Sequence, residues 1–177
     1  MDISKYDNTI DNAMFLTKVD NVFVMLYSSI MRRNLERVKH KVSETIINKY
    51  QERVQELIDN KQIQMFGELN VKSTEITDIT EDDEYIIVKV LLVSRYLNYV
   101  IDENSLELIS GVKDRREEHN NRLTFKKRKD AKELSAARHC PSCGNNMDLS
   151  RDGKCVYCGT IFDTYKYDYI LTDIETF

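Results

Sequence analysis

Cysteine is absent from the first 139 residues of this 177-residue chain. A disulfide-stapled scaffold is therefore excluded for its larger part, and the length makes one unnecessary, since about 130 to 150 residues bury roughly 70% of their unfolded surface. Proline occurs once and glycine five times. So few chain breakers predict long helices and strands joined by few loops. No apolar run approaches the roughly 20 residues that span a bilayer. The longest, "YIIVKVLLV" at 85–93, is interrupted by Lys89. The N-terminus "MDISKYDNTIDNAMF" lacks a basic start followed by an apolar core, so no secretory signal or transit peptide is expected. A soluble, intracellular and cytoplasmic chain is the expectation. The formal net charge of −4 argues against wholesale wrapping of nucleic acid, which needs an excess of Lys and Arg.

Apolar residues make up 41% of the chain and charged ones 32%, the balance of a globular protein. Every cysteine falls inside "HCPSCGNNMDLSRDGKCVYCG" at 139–159. Cys140 and Cys143 form one C-x-x-C pair, Cys155 and Cys158 a second. Each such turn brings two thiolates to one point, and four thiolates close the tetrahedral shell of a zinc ion with Zn–S of about 2.3 Å. Gly144 and Gly159 follow the pairs, where the backbone must bend sharply and a side chain is expected to intrude. Asn145, Asn146 and Asp152-Gly153 are turn formers between two short strands. These features predict a zinc ribbon over 139–163, with one structural Zn2+ bound by Cys140, Cys143, Cys155 and Cys158. Two disulfides would need an oxidising compartment to which nothing routes the chain. A redox C-x-x-C would be a single pair. His139 adjoins Cys140, but four cysteines already complete the shell. A closed shell has no position for water or substrate, so the ion is expected to fold the segment and to catalyse nothing.

From Met14 to Arg33, Phe15, Val19, Val22, Phe23, Leu26, Tyr27 and Ile30 recur at helical spacing, which predicts a long amphipathic helix. Asn34 can cap a short second helix bearing Leu35 and Val38, and Ser43 a third, whose face carries Ile46, Ile47, Tyr50, Val54, Leu57 and Ile58. "DNK" at 59–61 ends it. The pattern then turns β-branched and aromatic. "ELNVKSTEITDIT" and "YIIVKVLLVSRYLNYVI" read as strands separated by the acidic turn "EDDE" at 81–84, and "HNNRLTFKKR" holds a further strand with Leu123 and Phe125 on one face. Helices followed by antiparallel strands make an α+β fold. The polar stretch "KRKDAKELSAARH" at 127–139 is the candidate linker, dividing residues 1–130 from 131–177.

The helix break at "RRN", the capped third helix and the sheet ending on "RLTFKKR", followed by the ribbon and "YDYILTDI" at 167–174, resemble the Tim forty-four-like domain family, in a bacterial-type variant that carries a zinc ribbon. The resemblance covers about residues 10–174. It implies the cone of the nuclear-transport-factor-two-like superfamily, in which helices and a bent antiparallel sheet enclose a pocket. It also implies protein scaffolding and peripheral membrane contact. The chaperone-recruiting role of the mitochondrial relative's N-terminal segment is not among the expectations the resemblance carries for these residues.

The strongest basic run is Lys126, Lys127, Arg128 and Lys129, a candidate site for the phosphates of anionic lipid or nucleic acid. Solvated charge at a strand end accounts for the same residues. Arg32, Arg33, Arg37, Lys39 and Lys41, interleaved with Glu36 and Glu44, read as a charged outer helix face. Tyr96 and Tyr99, near Arg95 and Asp102, line a strand where some cones carry proton-transfer groups. Core packing is the commoner place for such tyrosines. His40, His119 and His139 are scattered among charges and expected on exposed faces. No nucleophile–base pair, phosphate loop or paired-carboxylate motif stands out. The leading expectation is therefore a non-enzymatic binding or scaffold module for a protein partner, at the inner face of a membrane. The alternatives are a nucleic-acid-binding ribbon protein and a small-molecule or enzymatic pocket within the cone. Tyr167, Tyr169, Ile170, Leu171 and Ile174 alternate in a way that suits docking back onto the main domain.

Overall fold

The computed structural model describes residues 1–131, 139–140, 142–146, 154–160 and 167–177. Helix α1 (Asn12–Met31) begins at Asp11, whose carboxylate accepts the Met14 amide at 2.8 Å and satisfies one of the donors every helix start leaves open. Phe15, Val19, Val22, Phe23, Leu26, Tyr27 and Ile30 are all buried along it, as their spacing predicts. Helix α2 (Glu44–Asp59) starts at the predicted cap, with Ser43 Oγ accepting the Ile46 amide at 3.3 Å. Ile46, Val54 and Leu57 are buried, whereas Ile58 at the helix end is exposed. Lys61, just past the helix end, has φ of 53°.

Between the helices no second helix forms. Residues 32–41 run as hydrogen-bonded turns in which Val38 and Lys39 both donate to the Leu35 carbonyl at 3.1 Å. Asn34 caps only one turn, accepting the Glu36 amide at 3.0 Å. Leu35 and Val38 are nevertheless buried. Their burial anchors the turns without a helix, because a segment this short gains too few hydrogen bonds to offset helix nucleation.

Four strands follow: β1 (Gln62–Glu81), β2 (Tyr85–Asp102), β3 (Leu108–Arg128) and β4 (Ile170–Thr176). They form one antiparallel sheet in sequence order. β1 and β2 meet at the acidic turn, where the Asp82 carboxylate accepts the Glu84 and Tyr85 amides. Along β2 the side chains alternate strictly. Ile86, Val88, Val90, Leu92, Ser94 and Tyr96 face the helices and are buried, and Leu123 and Phe125 of β3 lie opposite Val90 and Val88 on the same side. β1 starts earlier than its β-branched run implies, at the residue after the helix-ending Lys61. Beyond the register shift after Tyr96, Gly111 has φ of 88°, and a Cβ there would fall 2.3 Å from the Asn98 carbonyl oxygen. Only glycine fits that crossing.

The closing segment docks as a strand. β4 pairs with β3 from Asn121 opposite Thr176 to Lys126 opposite Ile170. Its other side is held by the turn before α2, where Leu171 donates to the Lys41 carbonyl at 3.0 Å and Ser43 donates to the Leu171 carbonyl at 2.8 Å. Tyr169, Ile170, Leu171 and Ile174 are each at most 1% exposed. Tyr169 stacks edge-on against Phe15, centroids 5.0 Å apart, and Phe15 does the same to Phe125 at 5.7 Å. The cysteine segment is thus an excursion between two neighbouring strands of one sheet.

Candidate functional site

The four cysteines converge. All four Sγ atoms lie within 4.8 Å of one another, with Cys140 to Cys158 and Cys143 to Cys155 each 3.6 Å apart. Sulfurs about 2.3 Å from a common centre in a tetrahedron stand roughly 3.8 Å apart, so the spacing fits a four-thiolate metal site. None is in a disulfide. The two C-x-x-C turns are near copies. Gly144 donates to the Cys140 carbonyl and Gly159 to the Cys155 carbonyl, both at 2.8 Å. Cys140 donates to the Asn145 carbonyl at 2.8 Å and Cys155 to the Thr160 carbonyl at 2.9 Å. In each turn the first cysteine is buried and the second exposed.

The glycines meet the first half of what was expected of them, the sharp backbone bend, but not the second. Gly144 and Gly159 have φ of 74° and 72°, but a Cβ at either would meet nothing within 4 Å. The requirement is the left-handed backbone alone, and space is available. Hydrogen bonds from the Thr160 side chain and backbone pull the Cys158 thiol down to about 6. Cys143 is pushed up to about 11: the Asn145 backbone contact opposes this, but burial and the three neighbouring thiols outweigh it. His139 is exposed and forms a bridge with Asn146, flanking the first turn. Asp152, Gly153 and residues 161–163 of the expected ribbon lie outside the described residues, as do 132–138 of the expected linker. Lys154 reaches Glu36 on the inter-helix turns at 3.8 Å.

The basic run is split by strand alternation. Lys127 points to the helix side, is buried, and holds the Asp7 carboxylate at 2.7 Å. Lys126 and Arg128 pair across to Ile87 and Tyr85 on the outward side of the sheet. Lys126 Nζ stands 5.8 Å from the Tyr85 ring centroid, and Arg128 makes two bonds to Asp130 at 2.8 and 2.9 Å. Lys129 pairs with Glu81 at 3.2 Å.

Tyr96 is buried in an aromatic cluster with Tyr27, Phe66 and His119, and burial pushes its phenol well above the ordinary value. Tyr99 lies on the opposite face of the sheet, its ring edge over Gly67. Arg95 is exposed beside Glu118, and Asp102 accepts the Asn104 and Ser105 amides in the β2–β3 turn. The strand therefore does not gather these four into one site. His119 departs from its expected exposed place, since its ring stacks on Tyr96 with centroids 4.3 Å apart.

Three of the cations expected on a charged outer helix face, Arg32, Arg37 and Lys41, frame a recess instead. Along the side of α1 turned away from the sheet, Met14, Lys18, Asn21, Met25, Ser28 and Arg32 recur at helical spacing. Together with Arg37 and Lys41 from the following turns they line a groove of about 640 Å³. Lys18 and Lys41 both reach Asp168. Arg33 leaves the groove to pair with Glu103 at 2.5 Å, and Lys39 pairs with Glu36. The legible signal was the second, polar-apolar stripe on α1 at the same period as its buried one.

Among known proteins, the family model of the Tim44-like domain matches residues 1–137. The chain belongs to the Tim44-like domain family. No curated protein matches it. Among solved structures, the intermembrane space region of the chloroplast protein ARC6 is similar at 6% identity, covering 91% of this chain and 95% of that one with a TM-score of 0.41. No helix among the described residues is long and apolar enough to cross a membrane.

Proposed function

We propose that this Tim44-like chain is a non-enzymatic binding module with a structural zinc ribbon inserted before its last strand. The observation that carries the metal assignment is the convergence of the Cys140, Cys143, Cys155 and Cys158 sulfurs, with two cross-pairs at 3.6 Å on two matching turns. A four-thiolate shell suits zinc and leaves no open position for substrate, so the ion supplies folding free energy to a segment too short to build its own core. In this reading residues 1–130 form the cone-like domain of a bacterial-type variant, and 131–177 comprise linker, ribbon and docking strand. Thiolate ligands favour a reducing compartment, so the module works in the cytoplasm, at the inner face of a membrane.

Family membership supports the binding role, because Tim44-like proteins are generally scaffolds. An anion-binding role for Lys126, Lys127, Arg128 and Lys129 draws on Lys126 and Arg128, the two that face outward. Metal analysis of the purified chain should return about one zinc per chain. Pull-down from native lysate and flotation with anionic liposomes test the binding role. A clean miss in both would remove it, and turnover by the purified chain would replace it with an enzymatic pocket.

A further inference from the structure

The groove beside α1 collects more cations than the described residues neutralise. Lys18, Arg32, Arg37 and Lys41 line it, and Asp168 is the one carboxylate bonded to any of them among the described residues. Among the described residues four positive charges thus meet one negative, in a protein whose formal net charge is −4. Arg32 and Arg37 make no side-chain hydrogen bond or ion pair among the described residues, and neither do Asn21 and Ser28, which lie between them and Lys18 along the same wall. The apolar share is equally specific. Val22 is buried in the floor, Met25 is half-buried, and Met14 and Val24 stand 59% and 40% exposed at the rim.

Each feature narrows the occupant. Guanidinium forks pair with carboxylates through parallel donors. Flexible methionines accept aliphatic side chains of varied shape. Asn21 and Ser28 offer an amide and a hydroxyl to backbone groups. A bilayer presents its charge to protruding residues, whereas this charge lines a concavity. We propose that the groove takes an acidic segment of a partner protein in which carboxylates are interspersed with aliphatic residues. The proposal rests on the binding-module reading and names where the partner sits.

A fluorescein-labelled peptide of Glu-Leu-Ser repeats and its Gln-Leu-Ser counterpart probe it by anisotropy on the full zinc-loaded chain. The Glu peptide should bind and weaken as salt rises, and the Gln peptide should not bind. The double variant R32Q/R37Q should weaken binding by about tenfold, as expected for two partly exposed ion pairs. V24D should also weaken it, while R115Q on the distant, exposed part of β3 should not. Circular dichroism checks that each variant folds. Equal affinity of wild type and R32Q/R37Q, or binding of both peptides alike, would overturn the proposal. So would loss of phosphatidylglycerol-vesicle flotation in R32Q/R37Q without peptide binding by the wild type, which would make the groove a lipid site. A partner pulled down equally by wild type and R32Q/R37Q would remove the groove and leave the binding module standing. Absence of any partner for either would remove both.

Discussion

Lys127 and Asp7, 120 positions apart, form a buried ion pair with Nζ 2.7 Å from Oδ2. The Lys127 ammonium also donates to Thr9 Oγ1 at 3.2 Å and stands 5.5 Å from the Tyr169 ring centroid. One side chain of β3 thereby ties the N-terminal loop to the residue that leads into β4. Removing one partner leaves a buried charge uncompensated, which costs about 3 kcal/mol or more. D7N and K127M should each lower stability by that order in urea denaturation. The double variant D7L/K127M should lose much less than the sum, because no orphan charge remains.

The same pair sets an acid limit. Burial alone would raise the Asp7 carboxyl, but hydrogen bonds from Lys127 and Thr9 and the nearby Lys127 charge outweigh it and hold the group below its ordinary value of 3.8. A depressed folded value means that the unfolded chain takes up the proton first. The stabilisation is therefore complete above pH 3.8 and is lost as pH falls through the lower folded value. Urea midpoints measured across that range should fall for the wild type and flatten for D7N.

Removal of the proposed zinc should act locally. Chelation, or C155S, should abolish metal content and collapse the amide dispersion of residues 139–160 in NMR spectra. The far-UV signal of the four-stranded sheet should persist, because its core cluster draws on the helices and β1–β4 and includes none of the cysteines. Metal retention should also weaken with falling pH, since protons compete for the thiolates.

Truncation should act globally. Deleting residues 169–177 removes Tyr169, Ile170, Leu171 and Ile174, each at most 1% exposed. At roughly 1.5–3 kcal/mol per buried side chain, the loss rivals the 5–15 kcal/mol that holds a whole domain together. Thermal denaturation followed by circular dichroism should show no cooperative transition. Deleting only residue 177 should change little, because Phe177 is 63% exposed.

Much of this molecule was written locally. The face of α1, the Ser43 cap, the acidic hairpin and the paired C-x-x-C turns each depend on residues a few positions apart, and their periods or spacings state the geometry directly. The inter-helix turns are not legible locally, because a capping asparagine and two apolar residues signal a helix start equally well when the segment is too short to propagate. Gly144 and Gly159 are special for the sharp backbone bend their position implies, and not for the crowding expected beside it. His119 looked exposed among its charged neighbours and lies against Tyr96, because strand alternation turns it inward.

Local spacing in the chain is enough for the two long helices, the antiparallel order and the convergence of the four cysteines, since each follows from short-range periodicity or from the reach of one turn. Tertiary contacts set which way each member of Lys126–Lys129 faces, that Asp7 neutralises Lys127, and that Arg32 and Arg37 line a recess with no ion pair among the described residues. Those outcomes depend on contacts between residues far apart in the chain, and no local spacing encodes which distant charge arrives.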